Sequence, residues 1–148
     1  MPNINVCTIM DREPSEIYGI LRNLEKFPEF IRDIEKIAIL ENKSNEIVIT
    51  KWIADIDGTP VEWIETNHFN DNAKTMKFCM VKGAFEKYEG SWEIKKVANG
   101  SAIKFQAILE WGIPNFEKYI GNILEEKACK SIKGMIWLIK KHAYKRTH

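Results

Sequence analysis

A chain of 148 residues with 22 Lys and Arg against 21 Asp and Glu is the size of one domain, 1–148, and exerts no global electrostatic pull on nucleic acid, an anionic membrane or acidic substrates. A domain of this size removes roughly two-thirds of its unfolded surface from water, so a core can form without disulfides, metal or cofactor. Cys7, Cys79 and Cys129 are odd in number and far apart, which fits neither a disulfide framework nor a zinc-ligand spacing. They are read as reduced, partly buried thiols.

The chain starts MPNINVCTIMDREP, with no basic segment leading into an apolar core, and its longest apolar run, Met135 to Ile139, is far short of a membrane span. A cytoplasmic protein with no integral membrane segment and no nucleic-acid partner is expected. A first strand is expected over Asn3 to Met10. In EPSEIYGILRNLEKFPEFI, Pro14 stands near a helix start and Ile17, Ile20, Leu21 and Leu24 recur at helical spacing. Pro28 is expected to break that helix before a second short helical turn.

Turn signals then divide the chain: NKSN at Asn42 to Asn45, DG at Asp57, NDN at Asn70 to Asn72, KGA at Lys82 to Ala84 and NG at Asn99. Between them lie six strand-length runs: Ile34 to Leu40, Glu46 to Ile56, Val61 to Phe69, Thr75 to Val81, Phe85 to Val97 and Ala102 to Trp111. Successive hairpins of this kind make an antiparallel meander. Pro114 stops the last strand, and Asn115 is the expected N-cap of a helix from Phe116 to about Tyr144, roughly 40 Å long at 1.5 Å per residue. Its apolar stripe is Phe116, Ile120, Ile123, Leu124, Ile132, Met135, Ile136 and Ile139. The basic end, KKHAYKR, offers a patch for an acidic partner, but cations there also stabilise the helix dipole.

The fold class that follows is α+β: a curled seven-stranded antiparallel sheet around a long C-terminal helix, with two short helices between the first and second strands. In YEGSWEI, Gly90 interrupts the apolar face made by Tyr88, Trp92 and Ile94. It is expected to mark a bend, and its missing side chain to leave space between sheet and helix.

The order of elements resembles the START-like superfamily, the helix-grip fold shared by birch-pollen-type allergens, lipid-transfer domains, quinone-binding proteins and polyketide aromatase/cyclases. FPEFIRDIEKIAILE and KGAFEKYEGSWEI resemble two segments of the polyketide cyclase/dehydrase branch, its aromatic-Pro-Glu lead into the second strand and its turn-Phe then Trp strand. The resemblance implies an internal cavity for a hydrophobic small molecule such as a lipid, quinone, isoprenoid or polyketide, either bound for transport or chaperoning or acted on by an aromatase/cyclase or dehydratase. The aromatase/cyclases place an Arg where Asn67 stands here, and a Trp and a Tyr at the positions that match Phe27 and Ile34.

Strand alternation assigns the lining. Met76, Phe78 and Met80, then Tyr88, Trp92 and Ile94, then Ile103, Phe105, Ala107, Leu109 and Trp111 face inward, with charged residues opposite. In Glu46 to Ile56 neither parity wins, which leaves Trp52 unassigned. In VEWIETNHF, placing Val61, Trp63 and Phe69 inside takes Glu65 and Asn67 inside with them and leaves His68 outside. A carboxyl against an apolar chamber is desolvated, which makes Glu65 a candidate acid or base, with Asn67 or Tyr88 as the candidate for holding a carbonyl. The alternatives for Glu65 are a place at the mouth or an ion pair with Lys. If Met and aromatic side chains fill the interior, the chain is instead a ligand-free interaction module.

Overall fold

Alternation builds the sheet. In β1 (Asn3–Met10) the side chains of Ile4, Val6 and Met10 are buried while Asn3, Asn5, Cys7 and Ile9 are exposed, the period-two pattern of a strand with one face on a core. The computed structural model describes residues 3–56, 58–110 and 114–145, without the side chains at 56, 59 and 114–125. After β1 come α1 (Pro14–Arg22), a 3-10 turn (Leu24–Glu29), and six strands: β2 (Ile34–Lys43), β3 (Ile47–Ile56), β4 (Thr59–Asn70), β5 (Thr75–Gly83), β6 (Lys87–Val97) and β7 (Gly100–Glu110). A long helix α2 (Pro114–Lys145) follows.

All neighbours pair antiparallel in the order β1-β7-β6-β5-β4-β3-β2. β1 and β2 are therefore the two edges, and the helical segments between them connect opposite sides of the sheet. The hairpins turn where the sequence places them. Ser44, Asn45, Gly58, Lys74 and Gly100 all have positive φ, the conformation that tight hairpin turns demand.

α1 begins with Pro14 at its first turn, where a missing N–H costs nothing. It ends at Asn23, whose Nδ2 donates to the Gly19 carbonyl, so the break comes five residues before Pro28. Pro28 itself lies inside the 3-10 turn, which corrects the expectation of a helical turn beyond it. The Tyr18 hydroxyl donates to Asp71 Oδ1 at 2.7 Å, tying α1 to the β4–β5 turn, and burial together with that carboxylate raises the phenol's pKa well above its usual value.

α2 starts at Pro114, so Asn115 lies within the helix and not at its cap. Of the described part, Ala128, Ile132, Ile136, Ile139 and Ala143 are buried, while Lys130, Lys133, Trp137 and Lys141 are exposed. Its end is fastened to the segments that follow β1 and the 3-10 turn. The Asp11 N–H donates to the Tyr144 hydroxyl at 3.0 Å, and His142 stacks on Phe30 of the segment after the 3-10 turn with ring centroids 4.0 Å apart. In the basic tail, Lys140 and Lys141 lie over the rings of Tyr144 and Trp137. Cys7 and Cys79 are exposed on the outer face, not partly buried, whereas Cys129 is half-buried.

The strand that pairs with β6 gives Gly90 a reason of its own. A Cβ there would strike the Gln106 carbonyl and come within 2.7 Å and 2.8 Å of the Ala107 Cα and Cβ on the paired strand. The glycine thus serves a close approach of β7 to β6. Phe78 on β5 and Phe105 on β7, two strands apart, reach across β6 near this point and stack with centroids 5.7 Å apart.

Candidate ligand site

β4 carries the site, because its alternation delivers an apolar, a polar and an aromatic residue to one face. Val61, Trp63, Glu65, Asn67 and Phe69 are all buried, and His68 is exposed. Residues two apart on a strand share a face, which brings the Trp63 indole beside the Glu65 carboxyl. Its Nε1 donates to Glu65 Oε1 at 2.7 Å. β3 repeats the device: Trp52 Nε1 donates to Thr50 Oγ1 at 2.8 Å. Trp52 pairs in register with Trp63 and the two rings stack at 5.4 Å, while Thr50 pairs with Glu65. The even residues Val48, Thr50, Trp52 and Ala54 face the core, which settles the ambiguous strand.

Asn67 continues the polar row in the other direction. Its Nδ2 donates to the Val48 carbonyl at 3.1 Å and to Thr50 Oγ1 at 2.7 Å, while its Oδ1 is buried without a partner.

The sheet is locally split around Glu65. The β4–β5 register slips between the Ile64–Lys82 and Glu65–Met80 pairs, a bulge of the kind that re-aims a side chain. Just beyond it, Gly83 has φ +153°, and a Cβ there would overlap Trp63. β5 and β6 pair only as far as Cys79 with Glu89, whereas β6 and β7 pair on to Lys87 with Glu110. Phe85, in the connection, and Tyr88 fill the opening. Trp63, Phe78, Phe85 and Tyr88 form a cluster whose ring centroids lie 4.9–5.8 Å apart.

Between this cluster and α2 lies a cavity of about 90 Å³. The sheet contributes Trp52, Trp63, Glu65, Phe78, Phe85, Tyr88, Trp92 and Leu109; α2 contributes Ala128, Ser131, Ile132, Met135 and Leu138. Its rim includes Asp33 and Asp55, both exposed, linked by the Asp55 N–H to the Asp33 carbonyl at 2.7 Å. Of the other residues assigned inward from the sequence, Met76, Phe105 and Ala107 are buried in the core beside the cavity and Met80 packs against that core half-buried. None of these four lines the cavity, nor does Asn67. Trp111 lies outside the described residues.

Glu65 is 3% exposed, and among the described residues no ion pair includes it. Burial pushes its pKa up to about 8, against a smaller lowering from the Trp63 N–H, so the carboxyl is mostly neutral at pH 7. Burial, and the nearness of Glu65, also hold the half-buried Tyr88 phenol well above its usual range. A neutral carboxyl in an aromatic enclosure can donate or transfer a proton. Among the described residues no group of His, Cys, Asp and Glu is placed to hold a metal ion.

Residues 10–135 match the model of a family described as polyketide cyclase/dehydrase and lipid transport. The chain belongs to that family. No curated protein matches it. Among solved structures, TTHA0849 from Thermus thermophilus superposes with a TM-score of 0.92 at 17% identity, over 99% of this chain and 100% of that one. The Zhui aromatase/cyclase from Streptomyces sp. R1128 does so with 0.84 at 9%, over 99% and 95%. A START superfamily protein from Mycobacterium smegmatis gives 0.83 at 12%, over 97% of each chain. At such identities the likeness is one of fold, and this polyketide cyclase/dehydrase family member has the helix-grip architecture.

Sequence reasoning missed several lining residues, among them Asp33, Trp52, Asp55 and Phe85 from the sheet side and Ser131 and Leu138 from α2. Trp52 was masked by apolar residues at both parities of β3. Phe85 falls in the expected strand Phe85 to Val97 at the parity opposite Tyr88 and Trp92, whereas in the structure it lies in the connection ahead of β6, where that alternation does not apply. The signal that could have found Trp52 is the repeat of Trp two residues from a polar side chain, Thr50–Trp52 and Trp63–Glu65, on hairpin-linked strands.

Proposed function

We propose that this chain binds, and thereby carries or chaperones, a small hydrophobic molecule with an aromatic ring in the cavity between the sheet and α2. The observation behind the reading is an apolar cavity walled by aromatic rings and containing one buried carboxyl, the composition expected of a small-molecule site. Its volume, about 90 Å³, is below the ~150 Å³ of a cavity that takes benzene. The resting cavity is thus smaller than one that takes a single ring, and any aromatic ligand requires α2 or the half-buried Met135 and Leu138 to yield. Met135 is suited to that, having three rotatable bonds and a soft thioether.

A second reading, catalysis in the same cavity of the aromatase/cyclase or dehydratase kind, is favoured by the placement of a buried carboxyl, Glu65, against the ligand space with, among the described residues, the Trp63 indole alone bonded to it. Burial there raises its pKa to about 8, the direction that suits a general acid.

Native mass spectrometry of the freshly purified chain tests the reading. A bound hydrophobic species is expected in the wild type and lost in Ser131→Leu, which fills the cavity from α2; its chemical change on incubation favours the second reading. A ligand-free wild type that also takes up no aromatic compound on titration would leave the interaction module as the better account.

A further inference from the structure

We propose that Glu65 recognises its ligand by donating an O–H from Oε2 to an uncharged acceptor oxygen, so that the cavity selects aryl ketones and aldehydes over hydrocarbons and over amines. The proposal rests on reading the cavity as a ligand site and names the chemistry of what enters it.

The geometry assigns the two carboxyl oxygens different work. Oε1 already accepts the Trp63 indole N–H at 2.7 Å, which suits the carbonyl oxygen of a neutral acid and leaves Oε2 as the oxygen that carries the proton. Glu65 lines the cavity, so that O–H has the ligand space before it. The charged and titratable groups around the cavity reinforce this state. Tyr88 from β6, Asp33 from the segment before β2 and Asp55 from β3 are all acidic groups, and the described lining of α2, Ala128, Ser131, Ile132, Met135 and Leu138, bears no charge. No cation among the described residues compensates an ionised Glu65, and an uncompensated charge in an apolar site is far costlier than a neutral donor. A ligand ammonium could compensate it, but only by giving up its own hydration to form a buried ion pair, whose desolvation commonly cancels the attraction. A ketone oxygen asks for one hydrogen bond and no charge.

Three ligands of nearly equal shape separate the alternatives: acetophenone, cumene and 1-phenylethylamine. Each is titrated into the full chain at pH 6.5 and pH 9.5, with binding read from the indole N–H resonances. In the wild type at pH 6.5 acetophenone is expected to bind about five- to tenfold tighter than cumene, the worth of one buried hydrogen bond. At pH 9.5, above the Glu65 pKa of about 8, that advantage is expected to vanish. Glu65→Gln, which keeps a donor and does not ionise, should retain it at both pH values. Glu65→Leu should bind cumene and acetophenone alike. Equal wild-type affinity for acetophenone and cumene overturns the proposal while the ligand site stands, and so does tightest binding of the amine. Binding of none of the three overturns both.

Discussion

The concave face of the sheet has two ends made by the same strands, and they treat buried polar groups in opposite ways. Glu65 and Asn67 are two residues apart on β4, on one face, 3% and 0% exposed. Asn67 turns its amide donors to Val48 and Thr50 on the neighbouring strand and borders no cavity. It pairs with Val48 on β3 and with Phe78 on β5. Glu65 has a single bond, from Trp63, and faces the cavity at the bulged end. Depth of burial does not tell these two polar residues apart. The separation comes from how many of its hydrogen-bonding atoms the protein itself satisfies and what the remaining ones face.

The core around Phe105 should be the less tolerant. Phe105, 1% exposed and in ring contact with Phe78 and Trp92, is expected to lose ~3–5 kcal/mol of stability on substitution by Ala, as large-to-small changes in tight cores do. Urea unfolding measures this. A loss under about 1 kcal/mol would mean that this core too has slack.

Glu65→Gln should move stability the other way. Because the folded pKa, about 8, is raised from 4.5, the native state holds a proton that the unfolded chain releases between those values. The stability the wild type gains from its neutral form is complete below about pH 4.5, falls as pH rises and is gone above about pH 8. Gln has no such loss and can still accept the Trp63 N–H. Relative to the wild type it should be on the order of 3 kcal/mol more stable at pH 7, at about 1.36 kcal/mol per unit, with little difference at pH 4. Parallel stability profiles for the two proteins between pH 4 and 9 would contradict the comparison.

Asn67→Leu is expected to cost ~2 kcal/mol, since it strips a donor from Thr50 and from the Val48 carbonyl while removing one unpartnered oxygen. That loss should be the same at pH 5 and pH 9, because no titrating group is involved. A loss that varied with pH would couple Asn67 to Glu65 and erase the distinction between the two ends.

Much of this arrangement is legible in the residues. The turn pairs and the alternating runs specify seven strands, and VEWIETNHF by itself puts Trp63, Glu65 and Asn67 on one face. What alternation cannot give is how a side chain is satisfied once inside, because Asn67 meets Thr50 only through the β3–β4 register. The same holds for Gly90, whose need for a missing side chain comes from β7, the next strand of the meander. Phe85 joins the cavity because β5 and β6 part company there, and Pro28 sits inside a helical turn because Asn23 has already closed α1. Each of these is a contact between separate segments, invisible to any local pattern.

The central claim is that Glu65 is an uncompensated acid in a ligand cavity, and carboxyl-carbon NMR of the selectively labelled chain across pH 3 to 10 tests it most directly. The resonance is expected to titrate near pH 8, and to shift further upward when a ketone occupies the cavity and favours the neutral form. A midpoint between about 4 and 5 would show a solvated or cation-paired carboxylate and contradict the account.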